Sequence, residues 1–469
     1  MNLMQIEWIN LIPELIIFGI AIVVLLGELY LSANAKRILG VVSLLGILAA
    51  LFNLTSLYGV EATEFMGMFS IDLTATVLKG ILLATTALVV LATLRSRMTI
   101  GEGEFFSMML FSVLGTMFMA SANDLIMLFI ALELTVLPAY ILVGSKKTAG
   151  SAEAALKYFL LGLVASVILL YGMSLVYGLT GQTNFTAIAN ALAGQAIQPL
   201  LLVGMVMIVV GLGFKVAAVP FHFWAPDVYE GAPVPVASFL AVGPKAGGFA
   251  ALIHFFPVAL AVAAPIWAGL FAILAVLSML LGNLAALAQT QVRRLLGYSA
   301  VAHTGYLLVG LAVADSFGYT SLIFYFLVYS LAALGSFLVI LATTERGLGE
   351  NVTDFAGLYK RAPMLALAMA IFLFSLVGIP PFAGFMGKVY LFGAAVRGDL
   401  IWLAVIGVLN SVISFGYYVT VIRQMYLVNP PTNEGLPVSK PLYLSIVLIM
   451  AAVVFLGVYP SAFLSIINL

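Results

Sequence analysis

Apolar runs of roughly 18 residues or more recur along the chain, separated by short polar stretches, and each is long enough to cross the hydrocarbon core as a helix. The runs are continuous rather than alternating, which predicts helices and excludes a β-barrel. About fourteen segments follow: 11–31, 38–58, 72–94, 105–121, 124–144, 155–179, 198–223, 235–256, 264–288, 295–314, 319–343, 364–396, 399–422 and 442–466. The longest connections are 180–197, 344–363 and 423–441, and no linker divides the chain. The prediction is an all-α polytopic membrane protein of one domain. Helices 1–3 occupy 1–103, two larger blocks occupy 104–256 and 264–422, and a last helix occupies 441–469.

Two of the runs are interrupted. Helix 7 carries Gly211, Gly213 and Pro220 in GLGFKVAAVPFHFW, and helix 12 carries Gly378, Pro380, Pro381, Gly384 and Gly387 in VGIPPFAGFMGKVY. Proline removes a backbone donor and breaks or kinks a helix. Carbonyls freed inside a membrane survive only where protein buries them or a polar cavity receives them. Breaks five helices apart predict two five-helix halves, helices 4–8 and 9–13, and the odd number per half requires the second to be inverted. Lys215 precedes its break whereas Lys388 follows its own, which counts against exact equivalence.

Composition changes the picture in two ways. Only 8% of the 469 residues are charged and 64% are hydrophobic, against roughly 25% charged in a soluble domain. With no cysteine, disulfides and Cys-ligated iron–sulfur clusters are excluded; His222, His254 and His303 show no metal spacing, and no basic tract suits nucleic acid. The N-terminus lacks a basic leader and a small-residue cleavage site, so the first run is expected to be a retained helix.

The placement of the nineteen Lys and Arg residues carries more. The loops after helices 1, 3, 5, 9, 11 and 13 hold Lys36, Arg37, Arg95, Arg97, Lys146, Lys147, Arg293, Arg294, Arg346, Lys360, Arg361, Arg423 and Lys440, whereas the opposite loops hold only Arg397. By the positive-inside rule both termini are expected on the outer, non-cytoplasmic side. The other five, Lys79, Lys157, Lys215, Lys245 and Lys388, lie inside apolar segments, as does Glu133. A charge at the bilayer centre costs about 2.5–3.5 kcal/mol on insertion scales, so these residues point to charge movement.

Glu133, mid-helix 5, is either half of a buried ion pair that fixes packing or a carboxylate that holds and releases a lysine's proton. Lys215, five residues before Pro220, is its expected partner. A free lysine titrates near pH 10.4, so exchange near neutrality needs about 4 kcal/mol of environmental bias. Burial supplies such bias and an adjacent glutamate opposes it, so a movable Glu–Lys pair is a switch. Lys245, mid-helix 8 among glycines, and Lys388, just after the second break, extend the row. Lys157 either belongs to it, snorkels, or pairs with Glu153 at i, i+4. Lys79 is expected to snorkel to the outer surface. His222 and His303 are either relays or packing residues. Tyr298, Ser299, Thr304 and Tyr306 surround His303 with hydroxyls, and His254 is expected to be structural. Asp227 and Glu230 form either a proton uptake point or a solvated turn.

AALKYFLLG, GLGFKVAAVPFHFWAPDVYEGAPVPVASFLAVGPK, QTQVRRLLGYSAVAHTGYLLVGL and GIPPFAGFMGKVYLF resemble the antiporter-like membrane subunits of respiratory complex I, the proton-pumping NADH:quinone oxidoreductase. Within that family PFHFWAPDVYEGAPVPV resembles the subunit N branch. The resemblance implies a proton-translocating chain in which a helix 5 glutamate pairs with a helix 7 lysine and lysines on helices 8 and 12 continue the path; these fall on Glu133, Lys215, Lys245 and Lys388. Lys157 also matches a family position. It further implies partners: other membrane-arm subunits, further antiporter-like chains among them, and peripheral subunits that carry NADH, FMN, iron–sulfur clusters and quinone, with no cofactor on this chain. Its rivals are a subunit of a multi-chain sodium/proton antiporter and a non-pumping scaffold of the membrane arm.

Overall fold

A computed structural model describes residues 7–32, 35–96, 100–430, 432 and 434–467. Arg97 lies outside them. The described residues form spans α1 Trp8–Tyr30, α2 Ile38–Leu57, α3 Leu73–Thr93, α4 Glu102–Ala120, α5 Leu125–Gly144, α6 Ala149–Thr180, α7 Pro199–Val216, α8 Val234–Ala259, α9 Ala261–Leu287, α10 Val292–Ala312 and α11 Ser316–Thr344. Next comes α12 in two pieces, Pro363–Val377 and Ala383–Arg397, and then α13 Ile401–Leu427 and α14 Lys440–Val458. Each matches one predicted segment. Among the described residues the only sheet is a hairpin before α3, β1 Ala62–Glu64 paired with β2 Phe69–Ile71.

Burial is uneven, and this locates the axis of the molecule. The apolar stretch of α8 is 100% buried and those of α10 and α11 94%, against 33% for α6, α13 and α14. α9 and α10 approach backbone to backbone: a Cβ at Gly282 would stand 2.5 Å from the Ala302 nitrogen, and one at Gly305 2.6 Å from that of Met279. Small residues at such contacts let membrane helices gain van der Waals packing where lipid gives no hydrophobic drive.

The breaks form where the sequence withholds backbone donors. α7 stops at Val216, Ala217 turns left-handed at φ 59°, and after the turn at Pro220 a short helix, Trp224–Gly231, resumes the chain. The first piece of α12 stops at Val377, Gly378 turns at φ 92°, and Pro380 and Pro381 delay the restart until Ala383. A third interruption was not expected. α8 consists of Val234–Leu240 and Gly243–Ala259, and Pro244 opens the second piece. Pro244 has no N–H to offer the carbonyl four residues back and its ring clashes with it, so the helix restarts there. Lys245 is therefore not mid-helix but in a first turn, beside a break.

α6 begins before its apolar run because Thr148 and Ser151 form a capping box. The added turns carry Lys157 out to an exposed position, 44% accessible. Lys79 departs from expectation in the opposite sense. It does not snorkel: it pairs with Glu14 of α1 at 2.6 Å, both side chains being 2% exposed, and its ammonium lies 4.6 Å from the centre of the Phe69 ring. Glu14 is thus a fully buried acid, whereas Glu133 is half-buried, so Glu133 is not the sole carboxylate available to a buried lysine.

Candidate functional site

Each of the three remaining lysines sits where a helix is interrupted, and each is buried. Lys215 is in the last turn of α7 and its Nζ has no hydrogen-bond partner among the described residues. Glu133 does not touch it. Its Oε1 accepts a hydrogen bond of 2.6 Å from the Ser166 hydroxyl on α6. A cavity of about 10 Å³ is lined by Ser166, Tyr140 and Lys215 among apolar side chains. Ser166 had no signal in the sequence, since a serine in an apolar helix ordinarily bonds its own backbone.

Lys245 faces α10. Its Nζ donates to the Ala300 carbonyl at 2.9 Å and to Thr304 Oγ1 at 3.1 Å, and Thr304 in turn donates to the Val216 carbonyl at 2.6 Å. Val216 is the neighbour of Lys215, so one hydroxyl joins the second lysine to the end of the helix bearing the first.

Lys388 resolves the asymmetry seen in the sequence. It follows its break, but its side chain reaches back: Nζ donates to the carbonyls of Leu376 at 3.1 Å and Val377 at 2.7 Å, and to Ser411 Oγ at 2.9 Å. Those carbonyls end the first piece of α12 and would otherwise be orphaned at the negative pole of the helix dipole, which favours a cation by about 0.3–1 kcal/mol, more when buried. In both broken helices the lysine therefore belongs to the C-terminal end of the first piece. The Lys388 ammonium also lies 4.5 Å from the centre of the Tyr306 ring.

Between Lys245 and Lys388 runs a buried polar layer. His303 is hydrogen-bonded through Nδ1 to the Tyr325 hydroxyl at 2.8 Å and through Nε2 to that of Tyr418 at 3.3 Å, and Tyr418 also bonds Ser299. The Tyr329 ring lies 5.0 Å from the imidazole and 5.5 Å from the Lys245 ammonium. Asn283 donates to the Tyr306 hydroxyl at 3.4 Å and to Asn410 Oδ1 at 3.2 Å, and accepts from Tyr417 at 3.0 Å. Sequence reasoning picked out His303, Ser299, Thr304 and Tyr306, which share α10. It missed Asn283, Tyr325, Asn410 and Tyr418, whose helices only the fold brings together.

The other candidates stand apart. His222 is buried against Phe223, with no hydrogen bond to any of the three lysines among the described residues. Lys157 bonds Glu153 and Asp227, each at 2.8 Å, and Arg294 bonds Asp227 at 2.6 Å and Glu230 at 2.7 Å. Burial alone would push the Asp227 carboxyl up, but the hydrogen bonds and charges of Lys157 and Arg294 outweigh it and hold the group below the ordinary carboxylate range. His254 lies 3.2 Å from Asp72, which caps α3.

The sequence profile of the family described as NADH:quinone oxidoreductase/Mrp antiporter, TM, matches residues 122–414. NADH-quinone oxidoreductase subunit N of Trichlorobacter lovleyi is 41% identical over 462 residues, covering 97% of this chain and 95% of that protein. Its counterpart in Desulforamulus reducens is 39% identical over 469 residues, 99% of this chain and 98% of that one. A chain in the solved structure of respiratory complex I from Thermus thermophilus with bound aureothin superposes with a TM-score of 0.83 at 32% identity, over 97% of this chain and 98% of that chain.

Proposed function

We propose, from the premise that this chain belongs to the NADH:quinone oxidoreductase/Mrp antiporter family of membrane subunits, that it is a proton-translocating subunit of the membrane arm of an NADH:quinone oxidoreductase. The near-full-length likeness at 41% and 39% is to subunit N chains, which is why a sodium/proton antiporter is set aside. The observation that carries the mechanism is the coincidence of three buried lysines with three helix breaks. Lys245 and Lys388 donate to backbone carbonyls and hydroxyls at their breaks, whereas Lys215 ends α7 with its ammonium unpartnered among the described residues.

Glu133 acts as the movable counter-charge. On Lys215 it keeps the lysine protonated; on Ser166, as here, it leaves Lys215 free to pass its proton to Lys245. From there His303 and its tyrosines lead to Lys388 and out. Lys157 and His222 take part only at the margins of this path, Lys157 within the exposed ion cluster and His222 beside the α7 break. Redox groups belong to partner subunits, in keeping with a chain that has no cysteine to ligate a cluster. Helices α4–α8 and α9–α13 form two inverted halves flanked by α1–α3 and α14. Both termini face outward from a bacterial plasma membrane, on the strength of the basic loops.

Glu133→Ala and Lys215→Ala, each in the assembled complex reconstituted into vesicles, are expected to abolish NADH-driven proton uptake through this chain. A normal proton-to-electron ratio in both variants would overturn the reading.

A further inference from the structure

Thr304 is fully buried on α10 and has a single hydroxyl proton. Its shorter contact is to the Val216 carbonyl at 2.6 Å, and the carbonyl of Ala300 one turn back lies farther off at 3.1 Å. A lone pair of the hydroxyl oxygen accepts from Lys245 at 3.1 Å. The Val216 carbonyl is one of those left without an intrahelical donor where α7 ends. α10 also grips the far side of that break: Arg294 holds Asp227 and Glu230 on the short helix Trp224–Gly231, and Gly297 packs so close that a Cβ there would stand 2.9 Å from the Cα of Pro226. One helix of the second half thus splints both ends of the broken helix of the first.

We infer that Thr304 is a positioning residue that couples the protonation of Lys245 to the end of α7 that carries Lys215; the inference rests on the reading above that these lysines exchange protons. A protonated Lys245 has only donors, so the hydroxyl accepts from it and gives its own proton to Val216. A neutral Lys245 has a lone pair and competes for that proton. When the hydroxyl turns to the amine, the Val216 carbonyl loses its partner and the last turn of α7 is released. Arrival or loss of a proton at Lys245 is thereby registered one residue from Lys215, with no movement of α10.

The test uses the whole complex in vesicles, with NADH and a soluble quinone. Thr304→Val keeps shape and removes the hydroxyl; Thr304→Ala is a second hydroxyl-free variant in case the first fails to assemble; Thr304→Ser keeps the hydroxyl. Proton uptake per NADH is expected to fall at least fivefold in a hydroxyl-free variant and to return to within twofold of the parent in Thr304→Ser, which also keeps the parent's pH profile of turnover. In a Lys245→Ala background, Thr304→Val is expected to change nothing further. Normal uptake in the hydroxyl-free variants, or equal loss in Thr304→Val and Thr304→Ser, overturns the inference while leaving the lysine path intact. Normal uptake in Lys245→Ala alone overturns the path and this inference with it.

Discussion

Glu133 is held on Ser166 rather than on Lys215, and that makes Ser166→Ala the most informative single change. The substitution removes one oxygen and leaves the helix backbone and the neighbouring packing as they are. What is lost is one hydrogen bond of 2.6 Å to a carboxylate. Hydrogen bonds to charged groups contribute about 1.5–3 kcal/mol. At 1.4 kcal/mol per factor of ten, the equilibrium between Glu133 on Ser166 and Glu133 on Lys215 moves about 10- to 150-fold toward the lysine. If the two arrangements are comparably populated in the parent, separation then occupies less than about a tenth of the population, and a cycle that needs it slows by a similar factor. The assay is NADH-driven proton uptake in vesicles, alongside the amount of assembled complex. Uptake is expected to drop about tenfold or more at unchanged assembly, with Ser166→Thr, which keeps a hydroxyl, nearer the parent. Uptake within twofold of the parent in Ser166→Ala would show that the Ser166 arrangement is not a working state.

Hydropathy made the spans legible because lipid leaves a helix no alternative: a long apolar run has one way to satisfy its backbone. The breaks of α7 and α12 were legible for the same reason, through their prolines. The break in α8 was not, because Pro244 sits in a run of small residues whose hydropathy barely changes. Lys215, Lys245 and Lys388 stood out by the cost of burying charge, but that cost does not say which helix answers it. Lys79 shows the limit. A lysine near the end of an apolar run reads the same in one dimension whether it reaches for water or meets a carboxylate 65 positions away, as it does at Glu14. For Lys157 the i, i+4 pair with Glu153 was legible as one alternative, whereas its bond to Asp227, 70 positions away, was not, because packing between helices sets it. Ser166, Asn283 and Tyr418 were illegible because a hydroxyl or amide in an apolar helix is cheap to bury when it finds a partner, and the partner is set by packing across helices.

Glu14→Gln strips Lys79 of its counter-charge in a site where both are 2% exposed, and breaking such a pair costs about 3–5 kcal/mol. Its thermal unfolding in detergent is expected to shift down clearly, with Glu14→Gln/Lys79→Met recovering most of the loss; equal melting of the two variants would refute the pair. Gly282→Leu drives a side chain into the Ala302 backbone, 2.5 Å from where its Cβ would stand, and is expected to abolish assembled complex on a native gel. Asp227→Asn tests the ion cluster through pH. The folded carboxyl is held below the ordinary value, so its pairing contributes stability in full above the unfolded pKa of about 3.9 and loses it as pH falls through the folded pKa. The side chains are partly exposed, so each pair contributes about 1 kcal/mol or less. The gap in melting temperature between parent and Asp227→Asn should then be constant from pH 8 to about pH 5 and close on further acidification. A gap that widens toward low pH would mean that Asp227 is carried protonated in the fold, and the cluster would have to be redrawn with Lys157 and Arg294 answering to Glu153 and Glu230 instead.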